Sequence, residues 1–124
     1  MRPPESLSRM SPGELVSLFA DIAAAQYKAI WIADNKRYNK LFKKMREIIA
    51  EIDSRPGRLR KMLVTLYGSD NPFVRYKAAT FTVVVDPAKA KKVIQEVAGL
   101  QNDPAGFEAG MTLFRMDDAD YAPP

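Results

Sequence analysis

Residues 70–85 read Asp-Asn-Pro-Phe-Val-Arg-Tyr-Lys-Ala-Ala-Thr-Phe-Thr-Val-Val-Val, and this stretch decides the fold. Asn71 can accept hydrogen bonds from the first free backbone N–H groups, and Pro72 has a φ angle already suited to a helix. The helix that follows is apolar nearly all round, which predicts packing on several sides. The small pair Ala78-Ala79 lets neighbouring helices approach closely. The stretch therefore predicts a central helix in an all-α protein.

The composition limits the classes of protein. The chain has 124 residues, 47% of them hydrophobic, which is enough for one domain with its own core. It contains no Cys, which fits a reducing cytoplasm, and no His, which removes the usual general base and the commonest metal ligand. The apolar segment 15–33 carries Asp21 and Lys28, so it predicts a soluble helix rather than a membrane span. We therefore expect a cytoplasmic protein that is not an enzyme and holds no cofactor or metal.

Further start signals place the other helices. Ser11, Pro12 and Glu14 form a capping-box sequence, and the pairs Asp86-Pro87 and Asp103-Pro104 repeat the combination of a cap and a proline. We predict a flexible lead-in at residues 1–10, a single helical domain at 11–116 and an acidic tail at 117–124. In the third helix we expect four residues to face the core, Leu59, Met62, Leu63 and Leu66, and we expect Gly68 to end the helix as a left-handed cap. In the sixth helix we expect the residues facing the core to be Phe107, Gly110, Met111 and Phe114.

The chain also repeats itself. A shift of 31 residues superposes core, cap and small positions, as Asn71 falls on Asn102 and residues 78–79 fall on residues 109–110. Periods of this size are typical of stacked helical hairpins. The pattern predicts a short right-handed α-α superhelix of the HEAT/armadillo kind, with about six helices in three antiparallel hairpins and no sheet.

The sequence also resembles a known family. The resemblance rests on the following residues: Gln26, Tyr38-Asn39, Arg55-Pro56-Gly57, Asn71-Pro72 with Val74-Arg75 and Ala78-Ala79, Pro87 with Ala90, and the run from Phe107 to Leu113. Over roughly residues 14–115 the chain is similar to a family of small bacterial HEAT-like proteins known as a domain of unknown function. The resemblance implies a compact right-handed stack of helices, and it implies no established activity.

A second apolar edge on the first helix is a candidate protein interface. Its residues recur at spacings of three and four, about 100° from the main buried stripe. A single Trp beside small residues is typical of an interface hot spot. The alternative is that the lead-in or the acidic tail covers this edge. The candidate residues are Val16, Ala20, Ala23, Tyr27 and Trp31.

Between residues 36 and 61, ten basic side chains stand against three acidic ones. Such a segment can neutralise phosphates, which makes nucleic acid a candidate partner, although any soluble helix places its charges opposite its apolar stripe. We expect some of these charges to pair within the helix, such as Lys43 with Glu47. The candidate anion surface consists of Lys36, Lys40, Lys43 and Lys44.

Arg75 has two interpretations. It can align neighbouring hairpins by reaching a turn carboxylate such as Asp70 or Asp103, or it can line an open concave face with Tyr76 and Lys77 and bind an anionic ligand. The carboxylates at residues 117, 118 and 120 lie in a tail that cannot hold them at a fixed separation, so they do not indicate catalysis.

We therefore predict a non-catalytic helical-repeat module that binds another protein or a second copy of itself. Binding of nucleic acid through the basic second helix is the alternative, and a toxin-neutralising immunity protein is a weaker one. The sequence identifies no small-molecule substrate and no membrane partner.

Overall fold

A computed structural model describes the backbone of residues 4–124 and the side chains of residues 6–124. These residues form an all-α structure without strands, as the sequence predicts. The helices are α1 (Pro4–Ser8), α2 (Pro12–Trp31), α3 (Asn35–Asp53), a 3₁₀ helix (Leu59–Gly68), α4 (Pro72–Thr82), α5 (Pro87–Ala98) and α6 (Pro104–Met116).

The predicted start signals cap the helices. The Ser11 hydroxyl accepts a hydrogen bond from the Glu14 backbone N–H at 3.1 Å, and the Glu14 carboxylate accepts one from the Ser11 N–H at 2.8 Å. The Asn71 side-chain oxygen accepts from the N–H groups of Phe73 and Val74 at 2.9 and 3.3 Å. Each cap satisfies donors that have no partner inside the helix. The helix starts are therefore encoded locally.

The described residues up to Met62 form the first of two compact units. Helix α2 packs against α3, and the short connection at residues 32–34 makes them a helical hairpin. Helix α1 packs against α3, and the Arg55 guanidinium, which pairs with Glu51, donates to the Leu7 carbonyl oxygen at 3.0 Å. Most residues that the sequence predicts on the inner sides of these two helices are buried, namely Leu15, Phe19, Ile22, Gln26, Ala29, Leu41, Met45, Ile48, Ile49 and Ile52. Three others, Ile30, Tyr38 and Phe42, are half-buried, and Ala33 is exposed.

The second unit runs from Leu63 to Pro124. Helix α4 packs against α5 and α6, and α5 packs against α6. Helix α4 is buried on most sides, as expected from its sequence, and Ala78 and Ala79 are fully buried at these close contacts. In α5 the sequence predicts an inner stripe of Ala90, Val93, Ile94 and Val97, of which Val93 is half-buried and the other three are buried.

The third helix differs from the prediction. It is a 3₁₀ helix with three residues per turn, so Leu59 and Met62 lie in one row while Leu63 and Leu66 lie in another. Of these four, Leu63 is buried and Leu59, Met62 and Leu66 are half-buried, so the expectation that all four face the core is confirmed only in part. The expected left-handed conformation of Gly68 is wrong as well, since the glycine with positive φ among the described residues is Gly57.

The chain ends also differ in part from the prediction. Residues 4–8 of the predicted lead-in form α1, and Leu7 is buried, so the expectation of a flexible segment is wrong there. Residues 1–3 lie outside the described part of the chain. Regular helix ends at Met116, where the predicted tail begins. The boundary between the two compact units falls between Met62 and Leu63, within the 3₁₀ helix. A single domain over 11–116 stays a prediction.

Candidate protein-interaction surface

Helix α6 packs with its small residues towards the protein. Ala105, Ala109 and Thr112 are buried, and they lie on one side of the helix. Gly106 is buried too: a Cβ there would collide with the Leu100 carbonyl oxygen. The backbone of α6 therefore approaches the end of α5 more closely than large side chains would allow.

The large apolar residues of α6 consequently face solvent. Phe107 is 70% exposed, Met111 is 44% exposed and Phe114 is 82% exposed. With Gly110 they fall within about 100° of one another on the side opposite the buried residues. The prediction that these four residues face the core is wrong, because the small residues occupy that side. We call Phe107, Gly110, Met111 and Phe114 the α6 stripe.

A groove and two charges border the α6 stripe. Leu100, Pro104 and Phe107 help to line an open groove of about 550 Å³ between the end of α5 and the start of α6. Glu108 and Arg115 lie seven residues apart on one flank of the stripe, about 20° apart in projection. The surface thus combines projecting rings, an apolar depression and charges of both signs.

A buried polar cluster fixes α6 to α4 beneath this surface. The hydroxyls of Tyr76 and Thr112 are 2.7 Å apart and hydrogen-bonded, and the Arg115 guanidinium donates to the Thr112 oxygen at 3.2 Å. Burial raises the pKa of the Tyr76 hydroxyl. Burial also lowers the pKa of Lys77 to about 8, an effect that Glu108 opposes and Arg115 reinforces. Satisfied buried polar groups of this kind restrict the orientation of a helix.

This cluster corrects the predicted concave face. Tyr76 and Lys77 are 3% and 6% exposed, so they do not line an open surface. The Arg75 guanidinium donates to the Ser69 carbonyl oxygen at 2.7 Å, within the turn that precedes α4. Arg75 therefore ties its helix to the preceding turn, and its acceptor is a backbone carbonyl rather than the expected carboxylate of Asp70 or Asp103.

The predicted edge on α2 is mostly covered. Ala23 is fully buried, while Val16, Ala20 and Tyr27 are half-buried. Trp31 is 55% exposed, and its ring meets the Tyr27 ring edge to face at 6.2 Å between centroids. The exposed part of this edge is therefore the end of α2 rather than a continuous stripe.

The basic segment lies largely in solvent. Lys36, Lys40 and Lys43 on α3 are exposed, and Lys44 is half-buried beside Glu47 in a small cavity of the first unit. None of these four lysines forms an ion pair with a carboxylate within residues 6–124. The expected pairing of Lys43 with Glu47 is accordingly wrong.

Comparison with known proteins supports the predicted resemblance. The sequence model of a family described as a domain of unknown function, DUF2019, matches residues 13–117. The chain belongs to this family. The crystal structure of the protein RPA1889 from Rhodopseudomonas palustris CGA009 is similar to this DUF2019 chain, with 34% sequence identity and a TM-score of 0.88 over 95% of this chain and 98% of that one. No curated protein matches the sequence.

Other kinds of site find little support in the described part of this DUF2019 chain. The cavity lined by Leu7, Leu18 and Ile22 measures about 110 Å³, whereas small-molecule sites usually measure about 300–1,000 Å³. The groove beside the α6 stripe reaches about 550 Å³, but it is wide open to solvent rather than a cleft that would enclose a ligand. Within residues 6–124, no three acidic, Cys or His side chains come together as metal ligands. Among the helices described, none combines the length and the apolar character that a membrane span needs.

Proposed function

We propose that this chain is a non-catalytic module that binds a protein through the α6 stripe. The observation that carries the proposal is the exposure of Phe107 and Phe114, which are the most exposed large apolar side chains among the described residues. A contiguous apolar patch of a few hundred Å² on a folded protein is often a binding site. Aromatic residues at the centre of such patches dominate binding energy in many interfaces.

Small residues on the inner side of α6 support this interpretation. A helix with a single apolar side would bury its large residues against α5 and α4. Here Ala105, Gly106 and Ala109 occupy that side, and the larger apolar residues remain outside. Leaving two phenylalanine rings in water forgoes roughly 1.5–3 kcal/mol each relative to burial. A binding partner would recover this free energy.

A pull-down from the native cell tests the proposal. The full chain serves as bait beside the double variant Phe107→Ser/Phe114→Ser, and Val84→Ser is the matched control because Val84 is an exposed apolar residue outside α6. We expect the wild type and the control to retain the same proteins and the double variant to lose them. Equal retention by the double variant would contradict the proposal.

The unpaired lysines favour nucleic acid as a second candidate partner. Three or four phosphate contacts would lower the binding constant by roughly 50-fold or more between 50 and 200 mM salt. Fluorescence anisotropy of a labelled duplex measures this dependence. We expect Lys36→Glu/Lys40→Glu/Lys43→Glu to abolish binding. The same charge change at the exposed lysines of α5, Lys89, Lys91 and Lys92, provides the control. Absence of binding at low salt excludes this candidate.

A further inference from the structure

We infer that the α6 stripe binds the same stripe of a second copy of this chain, with the two α6 helices antiparallel and crossing near Gly110 and Met111. The inference rests on the proposed function, because it identifies the partner of that surface. Shape, charge and area each support a second copy as the occupant.

The shape of the α6 stripe is self-complementary. Phe107 and Phe114 project from it about 10 Å apart along the helix. Gly110, between them, has no atom within 4 Å of the place a Cβ would occupy, so a second helix can approach closely there. In an antiparallel pair, Phe114 of the second copy lies opposite Phe107. It then faces the apolar groove that Leu100 and Pro104 line.

The flanking charges select the antiparallel arrangement. Glu108 and Arg115 lie on the same flank of the stripe, so a two-fold axis near Met111 places Glu108 of each copy beside Arg115 of the other. In a parallel pair the flanks that carry Glu108 and Arg115 would lie on opposite sides of the contact, so these charges of the two copies would not meet. A surface that carries both signs at exchanged positions matches itself better than it matches a partner of one charge sign.

The area fits a reversible dimer. Phe107 is 70% and Phe114 is 82% exposed, so covering four rings in two copies removes about 600 Å² from water. Leu100, Met111 and the flanking residues add to this area. Interfaces of less than about 1,200 Å² are typical of transient complexes. We therefore expect a dissociation constant in the micromolar range.

Sedimentation equilibrium of the full chain up to about 200 μM tests the inference. We expect the apparent mass to rise with concentration from 13.9 kDa towards twice that value. Phe114→Ser should weaken the dimer at least about 10-fold. Gly110→Leu should weaken it similarly, because it places a large side chain where the second helix approaches, while its Cβ meets no atom of its own chain within 4 Å. Val84→Ser and Trp31→Ala remove exposed apolar side chains outside α6 and should leave the dissociation constant unchanged. Circular dichroism verifies that each variant is folded.

A charge exchange tests the register. Glu108→Arg alone and Arg115→Glu alone should each weaken the dimer, and the variant with both changes should restore it, because each copy then offers the exchanged pair. A wild type that stays monomeric at the highest concentration would overturn the inference. The inference would also be overturned if Phe114→Ser left the dissociation constant unchanged. It would be overturned as well if the double charge variant dimerised no more tightly than the two single charge variants. A monomeric wild type leaves the proposed function intact. The proposed function is contradicted instead when the wild type and the variant Phe107→Ser/Phe114→Ser retain the same proteins in the pull-down.

Discussion

Replacing Lys77 with Met tests how a buried cation affects the stability of the protein. The Lys77 side chain is 6% exposed, and burial lowers its pKa from 10.5 to about 8. Arg115 reinforces this decrease, while Glu108 opposes it. The rings of Phe73 and Tyr76 lie 5.4 and 5.6 Å from the ammonium group and favour its charged form. Burial is the largest cause of the lowered pKa and outweighs the opposing effect of Glu108.

The sign of the pH dependence follows from the two states of the chain. The unfolded chain keeps the Lys77 proton up to about pH 10.5, whereas the folded chain loses it near pH 8. Between these values the unfolded state binds more protons, so the free energy of unfolding increases with pH. At about 1.36 kcal/mol per pKa unit, the gain from pH 8 to 9.5 is about 1.5 kcal/mol. Above about pH 10 the raised pKa values of Tyr67 and Tyr76 act in the opposite direction.

Urea unfolding at several pH values, followed by circular dichroism, measures this effect. We expect the wild-type midpoint to rise by roughly 1 M between pH 8 and 9.5. In Lys77→Met the rise should disappear, and the variant should be more stable than the wild type at pH 7 by about 1–3 kcal/mol. Lys89→Met is the control, because Lys89 is an exposed lysine of α5. A flat wild-type profile, or an unchanged rise in Lys77→Met, would refute this reasoning.

Three further substitutions test the packing of single residues by thermal or urea unfolding. Gly106→Ala should cost about 1–3 kcal/mol because its methyl group meets the Leu100 carbonyl oxygen, whereas Gly110→Ala, with open space around it, should stabilise the helix by about 0.5–1 kcal/mol. Asn71→Ala should cost about 1 kcal/mol through the loss of the α4 cap, and equal stability would show that the cap is dispensable. Gln26→Leu should stabilise the protein by roughly 1–3 kcal/mol, because neither the side-chain nitrogen nor the side-chain oxygen of this buried residue has a hydrogen-bond partner in the described part of the chain. A loss of stability in this variant would indicate that a partner exists.

The sequence predicts most strongly those features that depend on neighbouring residues. The caps at Ser11, Asn71, Asp86 and Asp103 are local, because a side-chain oxygen reaches an N–H group two or three residues away. Most of the buried positions of α2 and α3 are also predicted correctly, since the main apolar stripe of each helix faces the interior. Fold class and helix starts therefore follow from the sequence alone.

The candidate surfaces depend on packing and were harder to predict. Tyr76 and Lys77 were expected on an open face, but α4 is surrounded on most sides and both are buried. A polar side chain in a helix that is apolar all round can lie inside when a partner such as Thr112 is available, and that partner is 36 residues away. Periodicity gives the direction of a side chain relative to its own helix, and it gives no information on what lies beyond it.

Helix α6 shows how two sequence signals can conflict. Hydrophobic periodicity assigned Phe107, Met111 and Phe114 to the core, while the 31-residue repeat aligned Ala109 with Ala78, a position of close helix contact. Both alanines are fully buried, so the repeat identified this inner position, although its next pair aligns the buried Ala79 with Gly110 of the α6 stripe. In a helix with small residues on one side and large apolar residues on the other, the small residues let the helix pack closely against its neighbour. The large apolar residues then remain on the surface, where they can contact another protein. Where the two signals disagree, the side with the large residues is the better candidate for an interface.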